Sequence, residues 1–238
     1  MDLASDALAG VTHILISIPP NADQDPTLEW HKNDILKLKS LQWIGYLSTT
    51  GVYGNTDGKW VDETAPTNPT SPRSQSRLNA ETEWLNLFHN NSVPVHIFRL
   101  PGIYGPGRSA LDQVQSGRAR RIEKQGHQFS RIHVADIANT IAQSIAHPNP
   151  GRIYNVCDNE AASPADVTAY ACKLLGAPVP DAIPYEIAAQ DMSLMALSFW
   201  QDNRRVDNTR MTSELEVQLK YPTYRDGLKA IFDLKAKA

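Results

Sequence analysis

The stretch that most constrains the fold runs from Leu41 to Gly54: Leu-Gln-Trp-Ile-Gly-Tyr-Leu-Ser-Thr-Thr-Gly-Val-Tyr-Gly. An apolar run stops abruptly in three hydroxyl residues and then a Val-Tyr-Gly turn. Strands of a parallel sheet are buried on both faces and read as such runs, and α/β sheets place their chemistry where the strands end. The run therefore predicts a buried parallel strand over Trp43–Leu47, with Ser48, Thr49 and Thr50 at the mouth of a cleft.

Further strands are expected over Thr12–Ile18, Val93–Leu100 and Arg152–Val156. Helices are expected over Leu28–Leu38 and Ser74–Phe88 from apolar spacing. A third opens at Ser163-Pro164, with Ser163 as N-cap and Pro164 at the first helical position. Pro19-Pro20 and Asn21–Pro26 read as loop, as does the Gly-, Asp-, Thr- and Pro-rich stretch from Asn55 to Asn68. Trp84 and Phe88, one turn apart, pack either on the sheet or against a second copy.

The chain has 238 residues, 41% apolar and 21% charged, with a net charge of −3. That suffices for one good core and a small second lobe. The charge balance gives no polyelectrolyte signal for nucleic acid or membrane, and Arg118–Arg121 reads as a solvated surface or pocket rim. Cys157 and Cys172 are too few for a disulfide framework and fit a reducing, cytoplasmic setting; Cys157 reads as a small core thiol. No apolar stretch is long enough to span a bilayer. No metal-ligand pattern is expected.

An ordered set of motifs resembles the extended short-chain dehydrogenase/reductase family, the NAD-dependent epimerase/dehydratase type. The set is Thr49 four residues before Tyr53 of Val-Tyr-Gly, Arg99 followed by Tyr104-Gly-Pro-Gly107, Ile132-His-Val-x-Asp136, Tyr154-Asn-Val156 and Tyr221-Pro-x-x-x-x-Gly-Leu228. The resemblance covers about Leu8 to Leu228. It implies a Rossmann-like doubly wound parallel sheet lacking its first three strands, with a small C-terminal substrate lobe. Residues 1–157 would form the partial NAD(P)-binding domain, with 101–128 contributing to the lobe, and 158–238 the lobe segment. It also implies a homodimer contact through two long helices.

Two departures from the family pattern bear on function. Aligned on Pro72 and Ala80-Glu81, Arg73 stands where the family has its Tyr and Arg77 where it has its Lys. A guanidinium stays protonated, whereas a lowered-pKa phenol exchanges protons near neutrality. The second departure is that no Gly-x-x-Gly-x-x-Gly turn occurs, and Thr12–Ile18 resembles the family's fourth strand; the expectation is an N-terminal truncation. NAD or NADP is thus the cofactor of the full-length parent, with weak or no binding by this chain.

The resemblance implies catalytic positions at Thr49, Tyr53, Arg73 and Arg77, cofactor contacts at Ser48, Leu100 and Tyr104, and substrate contacts at Arg108, Arg131 and His133. Arg73, Arg77, Arg108 and Arg131 would converge on one pocket and favour an anionic, sugar-like ligand; otherwise Arg73 and Arg77 pair with Asp62, Glu63 or Glu81. Asp136, at a helix start, is structural, and His133 alone reads as a packing histidine. The expected function is an atypical NAD(P)-linked oxidoreductase, epimerase or dehydratase. The alternatives are a non-catalytic dinucleotide-, metabolite- or protein-binding module, or an inactive fragment.

Overall fold

The protein is described by a computed structural model covering residues 7–21 and 24–235. Residues 22 and 23 of the expected loop, and the outermost residues of the two expected domains, lie outside the described residues. In chain order the elements are β1 (His13–Ile16), α1 (Pro26–Lys37), β2 (Trp43–Thr49), β3 (Trp60–Val61), α2 (Pro72–Asn91), β4 (Val95–Leu100) and β5 (Gly102–Tyr104). They continue as α3 (Ala110–Gln115), β6 (Arg121–Glu123), β7 (Arg131–His133), α4 (Val134–Ala146), β8 (Ile153–Asn155) and α5 (Pro164–Leu175). The last are β9 (Ala182–Pro184), α6 (Tyr185–Ala188), α7 (Leu194–Gln201), β10 (Arg205–Val206), α8 (Thr209–Glu214) and α9 (Tyr224–Lys235).

A four-stranded parallel sheet in the order β1-β2-β4-β8 carries the molecule. All six residues of β4 are buried, as a strand covered on both faces requires. Trp84, buried, and Phe88, half-buried, pack from α2 on this sheet against the cluster of Ile44, Tyr46, Val95 and Ile97. The other face holds Trp43, Phe98, Leu100, Ile132 and Tyr154 with Met211 and Leu215 of the α8 region. The lobe core joins α3, α5 and α9 around Leu111, Val167, Tyr224 and Leu228.

Register turns the sheet's end into a polar row. Tyr46 and Ile97 align as one apolar level, and two residues on, on the same face, the matched level is Ser48, Arg99 and Asn155 on β2, β4 and β8. The hydroxyl-rich end of the first motif therefore sits beside a buried guanidinium and an amide.

One expectation is corrected. The stretch from Asn55 to Asn68 is not all loop, because Trp60 and Val61 pair in parallel with Arg205 and Val206. A two-residue strand has no periodicity to read, and its partner lies far along the chain.

Candidate active site

β2 ends in a 3₁₀ turn, Thr50–Tyr53, and the Thr49 Oγ1 caps it by accepting from the Gly51 N–H at 3.1 Å. Gly54 ends the turn at φ +66°, and an added Cβ would lie 1.8 Å from the Asn68 carbonyl oxygen. Only glycine fits there, which accounts for the last residue of Val-Tyr-Gly. No described acceptor takes the Thr49 hydroxyl proton, so Thr49 keeps a donor at the strand mouth.

Beneath the mouth lies a closed polar network. Ser48 Oγ donates to Glu81 Oε1 at 2.5 Å. Arg99 Nη2 and Nε donate to the same carboxylate at 2.7 and 3.2 Å. The Arg99 guanidinium also lies 4.8 Å from the Tyr53 ring centroid. Tyr53 Oη donates to Asn155 Oδ1 at 2.8 Å, and the Asn155 N–H donates to Glu63 Oε1 at 2.7 Å. Ser48 and Tyr53 are therefore both tied into the fold. Burial pushes the Tyr53 phenol above the ordinary tyrosine range although Arg99 opposes it. This is the reverse of what activates a phenol as a neutral-pH base.

Neither Arg73 nor Arg77 pairs with Asp62, Glu63 or Glu81. Glu81 is taken by Arg99, Glu63 lies 3.6 Å from Arg210, and Asp62 accepts from Thr64. Arg77 Nη1 donates to the Leu47 carbonyl at 2.6 Å and to Tyr46 Oη at 3.3 Å. A guanidinium thus clips α2 to the end of β2. Arg73, four residues earlier, is exposed.

The second group of expected residues gathers elsewhere. Arg108 and Arg131 line a cavity of about 360 Å³ together with Tyr104, Arg118 and Tyr224, but Thr49, Arg73 and Arg77 are not in its wall. The four arginines therefore do not converge. Arg131 Nη1 donates to the Phe129 and Ala162 carbonyls at 2.8 and 2.9 Å, which fixes the side chain in the wall. Arg118, from the expected pocket rim, does line the pocket.

Tyr104 packs its hydroxyl against α9, where a Cβ on Gly227 would come within 2.2 Å of it, and burial raises its pKa. Leu100 is core. His133 caps α4 by accepting the Ala135 N–H on Nδ1 at 3.1 Å, and its ring centroid lies 4.1 Å from that of Tyr221, the rings tilted at 55°. Burial lowers its pKa. Asp136 is fully buried and accepts from the Lys220 and Tyr221 N–H groups at 2.7 and 3.1 Å, pinning the C-terminal segment over β7. Cys157 is buried and donates to the Val206 carbonyl at 3.2 Å.

Sequence reading named Glu81 and Glu63 only as partners for Arg73 and Arg77, and Arg99 only as the start of a motif, and so missed the network that the three form with Ser48, Tyr53 and Asn155. Buried carboxylates in an otherwise apolar layer are the signal, but only the fold shows them as buried.

The family model described as "NAD dependent epimerase/dehydratase family" matches residues 33–157. Protein YeeZ of Escherichia coli K12 is 31% identical over 162 residues, covering 64% of this chain and 55% of YeeZ. The chain thus spans about half the length of this curated relative. A functionally unknown conserved protein from Silicibacter pomeroyi superposes with TM-score 0.90 at 46% identity, covering 100% of this chain and 81% of that one. dTDP-glucose 4,6-dehydratase from Bacillus anthracis, in complex with NAD, superposes with TM-score 0.73 at 22% identity, covering 95% and 73%. No described helix is long and apolar enough to cross a membrane.

Proposed function

The chain belongs to the NAD-dependent epimerase/dehydratase family, and from that premise we propose that it is an atypical member binding a small anionic, sugar-like ligand in the Arg131 cavity. The observation that carries the reading is Arg131, held in the cavity wall by two backbone carbonyls, with Arg108 and Arg118 beside it. Guanidinium groups bind carboxylate and phosphate bidentately. The sugar nucleotide in the enzyme name of the Bacillus anthracis neighbour, dTDP-glucose, is of this class. In this reading the family's cofactor, NAD or NADP, is bound weakly or not at all by the 238 residues.

The residues present do not form a pyrophosphate cradle. No Gly-x-x-Gly-x-x-Gly turn occurs in the 238 residues, and the N-terminus of α1, the helix after the strand that resembles the family's fourth, is closed by Asp25, whose Oδ1 accepts the Thr27 and Leu28 N–H groups at 2.9 and 3.2 Å. A carboxylate there excludes a phosphate. Apart from the Arg131 cavity, at the mouth of β2, Thr49 keeps a hydroxyl donor and the exposed Arg73 a fixed positive charge. A ligand-binding protein without turnover is the second reading. It is favoured by Arg73 and Arg77 in place of Tyr and Lys, and by the raised Tyr53 and Tyr104 pKa values.

Thermal shift against dTDP-glucose, glucose 6-phosphate and glucose tests the proposal. The anionic compounds should raise Tm, less so with added salt, and the shift should vanish in Arg131→Gln. A shift by glucose alone, or one indifferent to Arg131, overturns it.

A further inference from the structure

Bonded to Arg131 through the backbone is an acidic residue, Asp158, that no part of the proposed binding role uses. Asp158 follows β8 and donates its N–H to the Arg131 carbonyl at 2.8 Å, which locks the two backbones together. Its side chain is 3% exposed. Oδ1 accepts the Glu160 N–H at 3.2 Å, and Oδ2 is buried with no partner. Among the described residues Arg131 has no ion-pair partner, and its hydrogen bonds go to backbone carbonyls.

The charged and titratable groups around this pair are few. Asp158 feels Arg131 from β7, Glu160 from its own loop and Asp136 from α4. Tyr104 from β5 and Tyr224 from α9 face Arg131, and the Cys157 thiol adjoins Asp158. Asp136 is satisfied by two backbone N–H groups, and Glu160 is paired with Arg225. Asp158 alone of the three acids has a buried, unpartnered oxygen. Burying an ionised carboxylate with one oxygen unsatisfied is costly, and burying the neutral acid far less so.

We propose that Asp158 is the titrating counter-group of Arg131, so that an anion enters the cavity together with a proton held on the Asp158 carboxyl. The inference rests on the cavity binding anions at all. With Asp158 neutral, the Arg131 charge is uncompensated and faces the cavity. With Asp158 ionised, an internal anion competes for the same guanidinium, and a bound ligand meets a second negative charge near it. Burial pushes the Asp158 pKa up to about 8, opposed by Arg131 and reinforced by Glu160 and Asp136, so the exchange falls in an accessible range. Asp158 acts here as a specificity-determining residue, since a neutral ligand would not be coupled to its proton.

Sulfate is a suitable probe because it stays a dianion throughout. Its affinity for the whole chain is measured by calorimetry from pH 6.5 to 9.5 at constant ionic strength, for wild type, Asp158→Asn and Arg131→Gln. Wild-type affinity should be flat below pH 8 and then fall, approaching tenfold per pH unit. At pH 8.5, binding heats in buffers of different ionisation enthalpy should report net proton uptake. Asp158→Asn should bind with a flat pH profile and no uptake, and Arg131→Gln should not bind. Sulfate binding with no pH slope and no uptake overturns the inference and leaves the cavity reading standing, as does a slope that survives in Asp158→Asn. No Arg131-dependent binding at any pH overturns both. Should Asp158→Asn lose its cooperative melt, proton uptake by wild type alone decides the matter.

Discussion

At the residue scale, the buried charges carry the sharpest consequences. Glu81 and Arg99 are 1% and 3% exposed, and Glu81 also accepts the Ser48 hydroxyl. Glu81→Gln leaves Arg99 without its counter-charge while Arg99 Nη1 is already unpartnered. The loss should be about 3–5 kcal/mol in denaturant unfolding, against under ~1 kcal/mol for Glu214→Gln at the surface pair with Arg152. Equal losses would show that Glu81 is no more buried in solution than Glu214. His127 supplies the pH counterpart. It stacks 5.3 Å from Trp200 with Nε2 buried and unpartnered, and burial with Lys124 and Arg204 nearby lowers its pKa to about 4. The unfolded chain takes up this proton near pH 6.5 and the folded one does not, so the stability is present above 6.5 and lost as pH falls toward 4. His127→Phe should remove up to about 3 kcal/mol of that acid loss, read as the difference between the two stability–pH curves. Parallel curves would mean that His127 protonates freely in the fold.

At the scale of elements, four helices that start near strand ends have one or two of their N-terminal N–H groups occupied by their own capping side chains. Asp25 closes α1, Ser71 closes α2, His133 closes α4, and Ser163, itself bonded to Asp166, closes α5. A dinucleotide pyrophosphate needs such groups open and glycine-lined. NAD(H) and NADP(H) should therefore bind the 238 residues more weakly than about 1 µM in calorimetry, a loose limit set by the missing phosphate contacts. Sub-micromolar binding would show that a cradle forms from other groups. The elements themselves were legible in the sequence wherever a local pattern sufficed. Trp43 to Leu47 reads as a buried strand from its apolar run, which in the fold continues to Thr49, and Ser163-Pro164 reads as a helix start from capping chemistry alone. The site was legible only in halves. Arg108 and Arg131 stand at one cavity because β5 and β7 pair, while Arg73 and Arg77 ride on α2 beside β2. Distance along the chain carries no record of that separation. The same holds for Glu63 reaching Asn155 across 92 positions, and for Asp158, whose acid character is ordinary until burial near Arg131 changes it.

For the whole molecule, the two edges of the main sheet are treated differently. At β8 the outward Ile153 carbonyl accepts from Arg210 Nη1 at 3.2 Å, and the outward Asn155 N–H is taken by Glu63. Charged side chains there satisfy the groups that a further strand would use, which is how natural sheets blunt an edge. At β1 nothing similar is seen among the described residues. The strand is His13-Ile-Leu-Ile16, without lysine, acid or proline, and it leaves Leu15 48% and the following Ile18 55% exposed. An unprotected apolar edge is a template for pairing with another chain. The 238-residue chain should therefore self-associate at micromolar concentration, with a mass in light scattering that rises with concentration. Leu15→Lys places a charge on the exposed face without touching the core around Ile16, and it should shift the distribution toward monomer by making a paired edge bury an ammonium. Glu214→Gln, near the β8 edge, should leave the distribution unchanged. A sharp monomer for wild type up to tens of micromolar, with a single cooperative melt, would show that β1 is not an active edge, and association indifferent to Leu15→Lys would place the contact elsewhere.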